Sequence, residues 1–100
     1  MKKRNVLVTI ASGGEEIETV TIVDVLRRAG ANVTLAKVGT DSNGANLDCQ
    51  MSRGVTLKAD ASLTDMSVLQ TKYDAIVIPG GLEGATAMAK DKNLFNMIEE

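Results

Sequence analysis

Glu15, Glu16 and Glu18 follow directly on Gly13 and Gly14, where a strand-like run hands over to a helix-like one. In α/β chains such a junction often holds a phosphate on glycine backbone and a helix N-terminus. Three carboxylates would repel a pyrophosphate, and Ser-Gly-Gly is not the G-x-G-x-x-G of a dinucleotide site. Acid–base work suits these residues better. On a wheel of about 100° per residue, Glu18 falls inside the apolar arc formed by Ile22, Val23, Val25, Leu26 and Ala29, whereas Glu16 lies opposite with Asp24, Arg27 and Arg28. This phase predicts that Glu18 is buried. Burial raises a carboxyl pKa, in extreme cases to about 8–9, while a helix N-terminus favours the charged form by only about 0.3–1 kcal/mol. A carboxyl kept neutral can donate a hydrogen bond to an oxyanion or a thiolate. The plainer alternative stays open: Glu18 caps its helix, or the wheel is out of phase by one residue. Glu15 and Glu16 read as partners of the helix dipole.

Pro79-Gly80-Gly81 is the second candidate. Proline halts a strand ladder, and the glycines let the chain turn and bring adjacent amides toward a ligand, as an oxyanion hole requires. A lone Pro-Gly-Gly is more often an ordinary turn, but both motifs lie at the carboxyl ends of strands, where open α/β sheets bind ligands. Arg53 is an anion or interface contact, or simply a solvated arginine. Cys49 sits in a loop-like stretch without a nearby base and reads as a structural thiol. The chain has no histidine, which removes Ser–His, Cys–His and His-ligated zinc chemistry from its own residues. No metal site and no cofactor is expected.

The elements that must position these residues are legible in outline. Residues 5–11 form a β-branched apolar run, read as a strand buried on both faces. Residues 15–29 form a helix with acids in its first turn, Arg27 and Arg28 in its last, and Gly30 as the stop. A second strand spans 32–38, a small hairpin or extra strand falls in 47–58, Ser62 caps a short helical turn, and a third strand covers 73–81. A short helix and the start of another follow. The order predicts a parallel sheet with helices on both faces. Exposed Ile17 and Val20, beside Asp24 and Arg28, hint at a subunit interface.

One hundred residues suit a single domain. With 2% aromatic residues and a net charge of −2, nothing invites nucleic acid or an anionic membrane. No apolar stretch approaches a membrane span. A single cysteine allows no internal disulfide and fits a reducing compartment, so a cytoplasmic location is expected. The closing Glu99 and Glu100 put the wrong charge at a helix C-terminus, and no strand follows to receive the crossover. The chain therefore reads as part of a longer domain.

"EEIETVTIVDVLRRAGANVTLA", "SRGVTLKADASL" and "YDAIVIPGGLEGA", in this order, resemble the DJ-1/ThiJ/PfpI superfamily, and specifically its deglycase branch. The resemblance implies a flavodoxin-like α/β sandwich with a mainly parallel sheet, here only its N-terminal half, in a protein that is usually a homodimer. It implies a nucleophilic cysteine on a strand-to-helix elbow beyond residue 100 and a histidine later still. Glu18 matches the protonated glutamate beside that cysteine, and Gly80 and Gly81 match the oxyanion corner. Glu15 and Arg53 match pocket positions; Ile17, Val20, Asp24 and Arg28 fall on the interface face. Leu82 stands where some relatives carry a polar residue, and Met51 where some carry a cysteine.

Residues 1–100 are accordingly expected to be the N-terminal part of one such domain, completed by a C-terminal segment that brings the thiol. The implied activity is that of a glutathione-independent glyoxalase or protein deglycase acting on aldehydes such as methylglyoxal. The chain alone would be inactive. The alternatives are a redox-sensing chaperone or interaction module without turnover, and a PfpI-type peptidase.

Overall fold

A computed structural model describes residues 3–39 and 46–80. Strand β1 (Asn5–Ile10) leads into helix α1 (Glu16–Arg28) and returns as β2 (Asn32–Lys37). A hairpin of β3 (Asp48–Gln50) and β4 (Thr56–Lys58) follows, then β5 (Ala61–Ser62), α2 (Met66–Gln70) and β6 (Ala75–Val77). β5, β2, β1 and β6 form one parallel sheet in that order. The antiparallel hairpin is a separate two-stranded sheet, with Cys49 opposite Leu57.

β1 is central, and its alternation feeds both faces. Val6, Val8 and Ile10 pack with Val23, Ile22 and Leu26 of α1 and with Cys49, Met51 and Leu57 from the hairpin. Leu7 and Ala11 point the other way, to Val68 and Leu69 of α2, Leu63 and Tyr73. Both faces are therefore covered, which explains why β1 is apolar on both faces from Val6 to Ile10 except at Thr9.

α1 stops as its sequence predicts. Gly30, at φ 90°, donates to the Arg27 carbonyl at 3.1 Å, and Ala31 donates to Leu26 at 3.0 Å. These two bonds make a Schellman closure, with Ala31 packed beside Leu26 in the core. Asp60 locks the helix to the sheet: one carboxylate oxygen accepts from the Leu35 amide and from Arg27, each at 2.9 Å.

Two expectations need correction. Ser62 caps no helix; it lies in β5, opposite Lys37, and its hydroxyl accepts from the Thr64 amide. The α2 cap is Asp65, whose carboxylate accepts from the Ser67 amide at 2.8 Å. The third strand is shorter than 73–81, because pairing with β1 ends at Val77, before Pro79. The two helices expected after Gly81 lie outside the described residues.

Candidate functional site

The loop leaving β1 and the corner after β6 meet at the carboxyl edge of the sheet. The Glu15 amide donates to the Gly80 carbonyl at 3.1 Å, and the Gly80 amide donates to Glu18 Oε1 at 2.8 Å. The backbone of Gly80 is thus held in both directions by the start of α1. A Cβ on Gly80 would stand 3.1 Å from Glu18 Oε2, so a larger residue there would crowd this carboxyl and make it give way slightly. Glu15 is the N-cap, and its Oε1 accepts from the Ile17 amide at 2.9 Å. The Glu15 carboxylate thus satisfies an amide of the helix itself, Ile17, and the Glu18 carboxylate one of the corner, Gly80.

Burial of the acids differs from the expected phase. Glu18 is exposed, whereas Glu16 is 7% exposed. The buried stripe of α1 runs through Glu16, Thr19 and Val23, with Ile22 and Leu26 at its edge, and Val25 is 55% exposed. α1 is rotated relative to the apolar arc because the β3–β4 hairpin, not the sheet alone, supplies its contact surface. That hairpin offers polar partners. Glu16 Oε1 accepts from Ser52 Oγ at 2.8 Å, and Oε2 accepts from the Arg53 amide at 2.9 Å. Its own backbone amide, then the Ser52 hydroxyl and the Arg53 and Val55 amides, hold the Glu16 carboxyl below its ordinary pKa against the opposing effect of desolvation. No sequence signal pointed to this arrangement, since the partners lie 36 and 37 residues away.

The Gly80 amide is engaged by Glu18 and is not an unpaired oxyanion donor in this arrangement. Gly81 and Leu82 lie outside the described residues. Arg53 is exposed, and its guanidinium forms no ion pair among the described residues. Ile17 and Val20 are 75% and 48% exposed, and Arg28 pairs with Asp24 at 2.9 Å on the same outward side. A groove of about 280 Å³ beside them, lined by Val20, Val23, Leu35 and Leu57 with Asp24 and Lys58, is separate from the Glu18–Gly80 corner.

Cys49 is fully buried, and burial pushes its thiol up, only partly opposed by Lys37. An inert core thiol is the result. Lys37 itself is buried and donates to the carbonyls of Asn46 and Asp48 at 3.0 and 2.7 Å, fixing the entry to the hairpin. Among the described residues, no group of three or more acids, cysteines or histidines could hold a metal, and no helix is long and apolar enough to cross a membrane.

The model of the DJ-1/PfpI family matches residues 4–100. The chain belongs to the DJ-1/PfpI family. It is 45% identical over 95 residues to Protein DJ-1 homolog B of Arabidopsis thaliana, covering 95% of this chain and 20% of that one. It is 37% identical over 100 residues to the Parkinson disease protein 7 homolog of Danio rerio, covering 100% of this chain and 50% of the relative. Among solved structures, oxidized Toxoplasma gondii DJ-1 matches with a TM-score of 0.85 at 42% identity, over 96% of this chain and 48% of that one. Drosophila melanogaster DJ-1beta matches with a TM-score of 0.87 at 37% identity, over 98% and 49%. The fold is thus the α/β fold of the DJ-1 structures, with a mainly parallel sheet, and the chain spans half or less of these relatives.

Proposed function

We propose that this chain contributes the acid-and-amide half of a cysteine-dependent site that acts on reactive aldehydes such as methylglyoxal. The thiol would come from a C-terminal segment that completes the domain. The observation that carries this reading is the 2.8 Å bond from the Gly80 amide to Glu18, which joins the two family motifs at one corner. Attack of the thiolate on the aldehyde carbon forms a C–S bond and leaves an alkoxide, which takes up a proton. Moving the aldehyde hydrogen to the neighbouring carbonyl carbon, by way of protons, gives a thioester. Water then cleaves it to lactate and returns the thiol. The net change is methylglyoxal plus water to lactate, with no external oxidant or reductant. Glu18 is proposed as the group that gives and takes these protons, and Gly80, whose amide donates to it, as the group that aims it. With the Gly80 amide engaged by Glu18, the role of donor to the developing oxyanion is proposed for Gly81, which lies outside the described residues. Glu15, Arg53 and Leu82 are proposed as substrate-pocket residues, Leu82 likewise lying outside the described residues.

The assembled protein is proposed to be a cytoplasmic homodimer. The exposed Ile17 and Val20, flanked by the Asp24–Arg28 pair, support the α1 face as the contact with a second copy.

The test is lactate formation from methylglyoxal by residues 1–100 alone and by the same chain combined with the completing segment. Turnover is expected only from the combination. Turnover by the isolated chain would contradict the assignment of the nucleophile to another segment.

A further inference from the structure

Glu16 has no role in the chemistry proposed above, yet its carboxylate is the most fully satisfied of the three. Both oxygens are used by the turn between β3 and β4, one by Ser52 Oγ and one by the Arg53 amide. That turn is closed by Met51 donating to Val55 at 2.8 Å and Gly54 donating to Met51 at 3.0 Å. It is fastened to the loop before α1 by two further bonds, Ser52 N to the Gly14 carbonyl at 2.9 Å and Gly13 N to the Gln50 carbonyl at 2.8 Å. Gly80 is gripped on the other side by the Glu15 amide at the end of that loop and by Glu18 in the first turn of α1. Gly14 stands between the two, for a Cβ there would lie 3.4 Å from Met51 Cε and 3.8 Å from the Gly80 carbonyl. The Arg53 guanidinium has no carboxylate partner among the described residues, and its backbone rides on a turn fastened to the loop that also meets Gly80.

We propose that Glu16 is a positioning residue: by clamping the Met51–Val55 turn to the first turn of α1, it sets where Arg53 stands relative to the Glu18–Gly80 corner and so sets affinity for a carbonyl substrate. The functional half of this statement rests on the aldehyde reading of that corner. A glutamine could turn its amide so that the oxygen accepts from the Arg53 N–H and the NH₂ donates to Ser52 Oγ, so only truncation removes both bonds, as in Glu16→Ala. Ser52→Ala removes only the bond to Oε1 and leaves the charge in place.

The experiment uses the assembled protein and compares Glu16→Ala, Ser52→Ala, Arg53→Met and the Glu16→Ala/Arg53→Met double variant. The amide resonances of Arg53, Gly54 and Gly80 are recorded with steady-state kinetics on methylglyoxal. Glu16→Ala is expected to move the Arg53 and Gly54 amides while leaving Gly80 in place, with smaller shifts of the same kind in Ser52→Ala. KM should rise roughly 3- to 30-fold with kcat within about 2-fold, as for loss of uniform binding, and the double variant should be no worse than Arg53→Met alone. Unmoved Arg53 and Gly54 amides, or independent and multiplicative effects of the two substitutions, would overturn the proposal. A fall in kcat at constant KM would overturn it too. If the unsubstituted protein turns over no methylglyoxal, the aldehyde reading fails, and the Arg53 and Gly54 resonances alone decide the positioning claim.

Discussion

Neighbouring carboxylates on one helical turn have been given different surroundings. Glu18 faces solvent and one amide; Glu16 is enclosed by a hydroxyl and amides. Hydrogen bonds to the charged form lower the Glu16 pKa from its ordinary 4.5, and Asp65 is lowered likewise by the Ser67 hydroxyl and amide. A depressed folded pKa means the folded state binds fewer protons than the unfolded one. The stabilisation is therefore full above the ordinary value and is lost as pH falls through the lowered one. Melting temperature followed from about pH 5 to pH 2 should drop less steeply in Glu16→Gln and Asp65→Asn than in the unsubstituted chain. An unchanged acid slope would refute the charge-based account of both residues. The wheel placed Glu18 rather than Glu16 inside because it weighs apolar neighbours only. It cannot register a polar turn that lies remote in sequence and folds over the helix.

At the scale of elements, local signals were enough wherever one segment decides its own shape. β1, α1 and β2 were legible from apolar runs, end charges and Gly30. The Gly30 backbone sits in the left-handed region, where a Cβ meets no atom but the conformation itself is strained. Gly30→Ala should cost about 1–2 kcal/mol, read as a shift in denaturant midpoint at constant m-value; no shift would argue against the Schellman closure. Legibility failed where partners decide. β5 is two residues long and exists by pairing with Ala36 and Lys37. Ser62 looked like a cap by type, but Asp65 holds that place because β5 claims Ser62. The apolar run into Pro79 reads as strand throughout, yet only three of its residues find a ladder on β1.

Among the described residues, most large apolar side chains build the sheet's two cores, and those left outward are Ile17, Val20 and Val25 on α1 together with the scattered Val55, Met66 and Ile78. Leu7 is wholly buried in the core on the α2 side, while Ile17 is the most exposed of the large apolar residues on α1. Leu7→Ala should therefore lower stability by about 2–5 kcal/mol. Ile17→Asp should leave the melting temperature of the monomer within a few degrees and weaken self-association of the assembled protein in sedimentation equilibrium. Self-association unaffected by Ile17→Asp would remove α1 as the contact face. Neither the carboxyl's partner nor the corner was readable as a contact from sequence; only the motif order pointed to their meeting, and the 62 residues between Glu18 and Gly80 show why.

The most direct test of the Glu18–Gly80 corner is the rate of lactate formation from methylglyoxal by the assembled protein with Glu18 and with Glu18→Gln, at matched melting temperature. Glutamine keeps an oxygen for the Gly80 amide but cannot exchange a proton, so a fall of roughly 10²- to 10⁴-fold in kcat is expected. An equal rate in the two proteins would contradict the account.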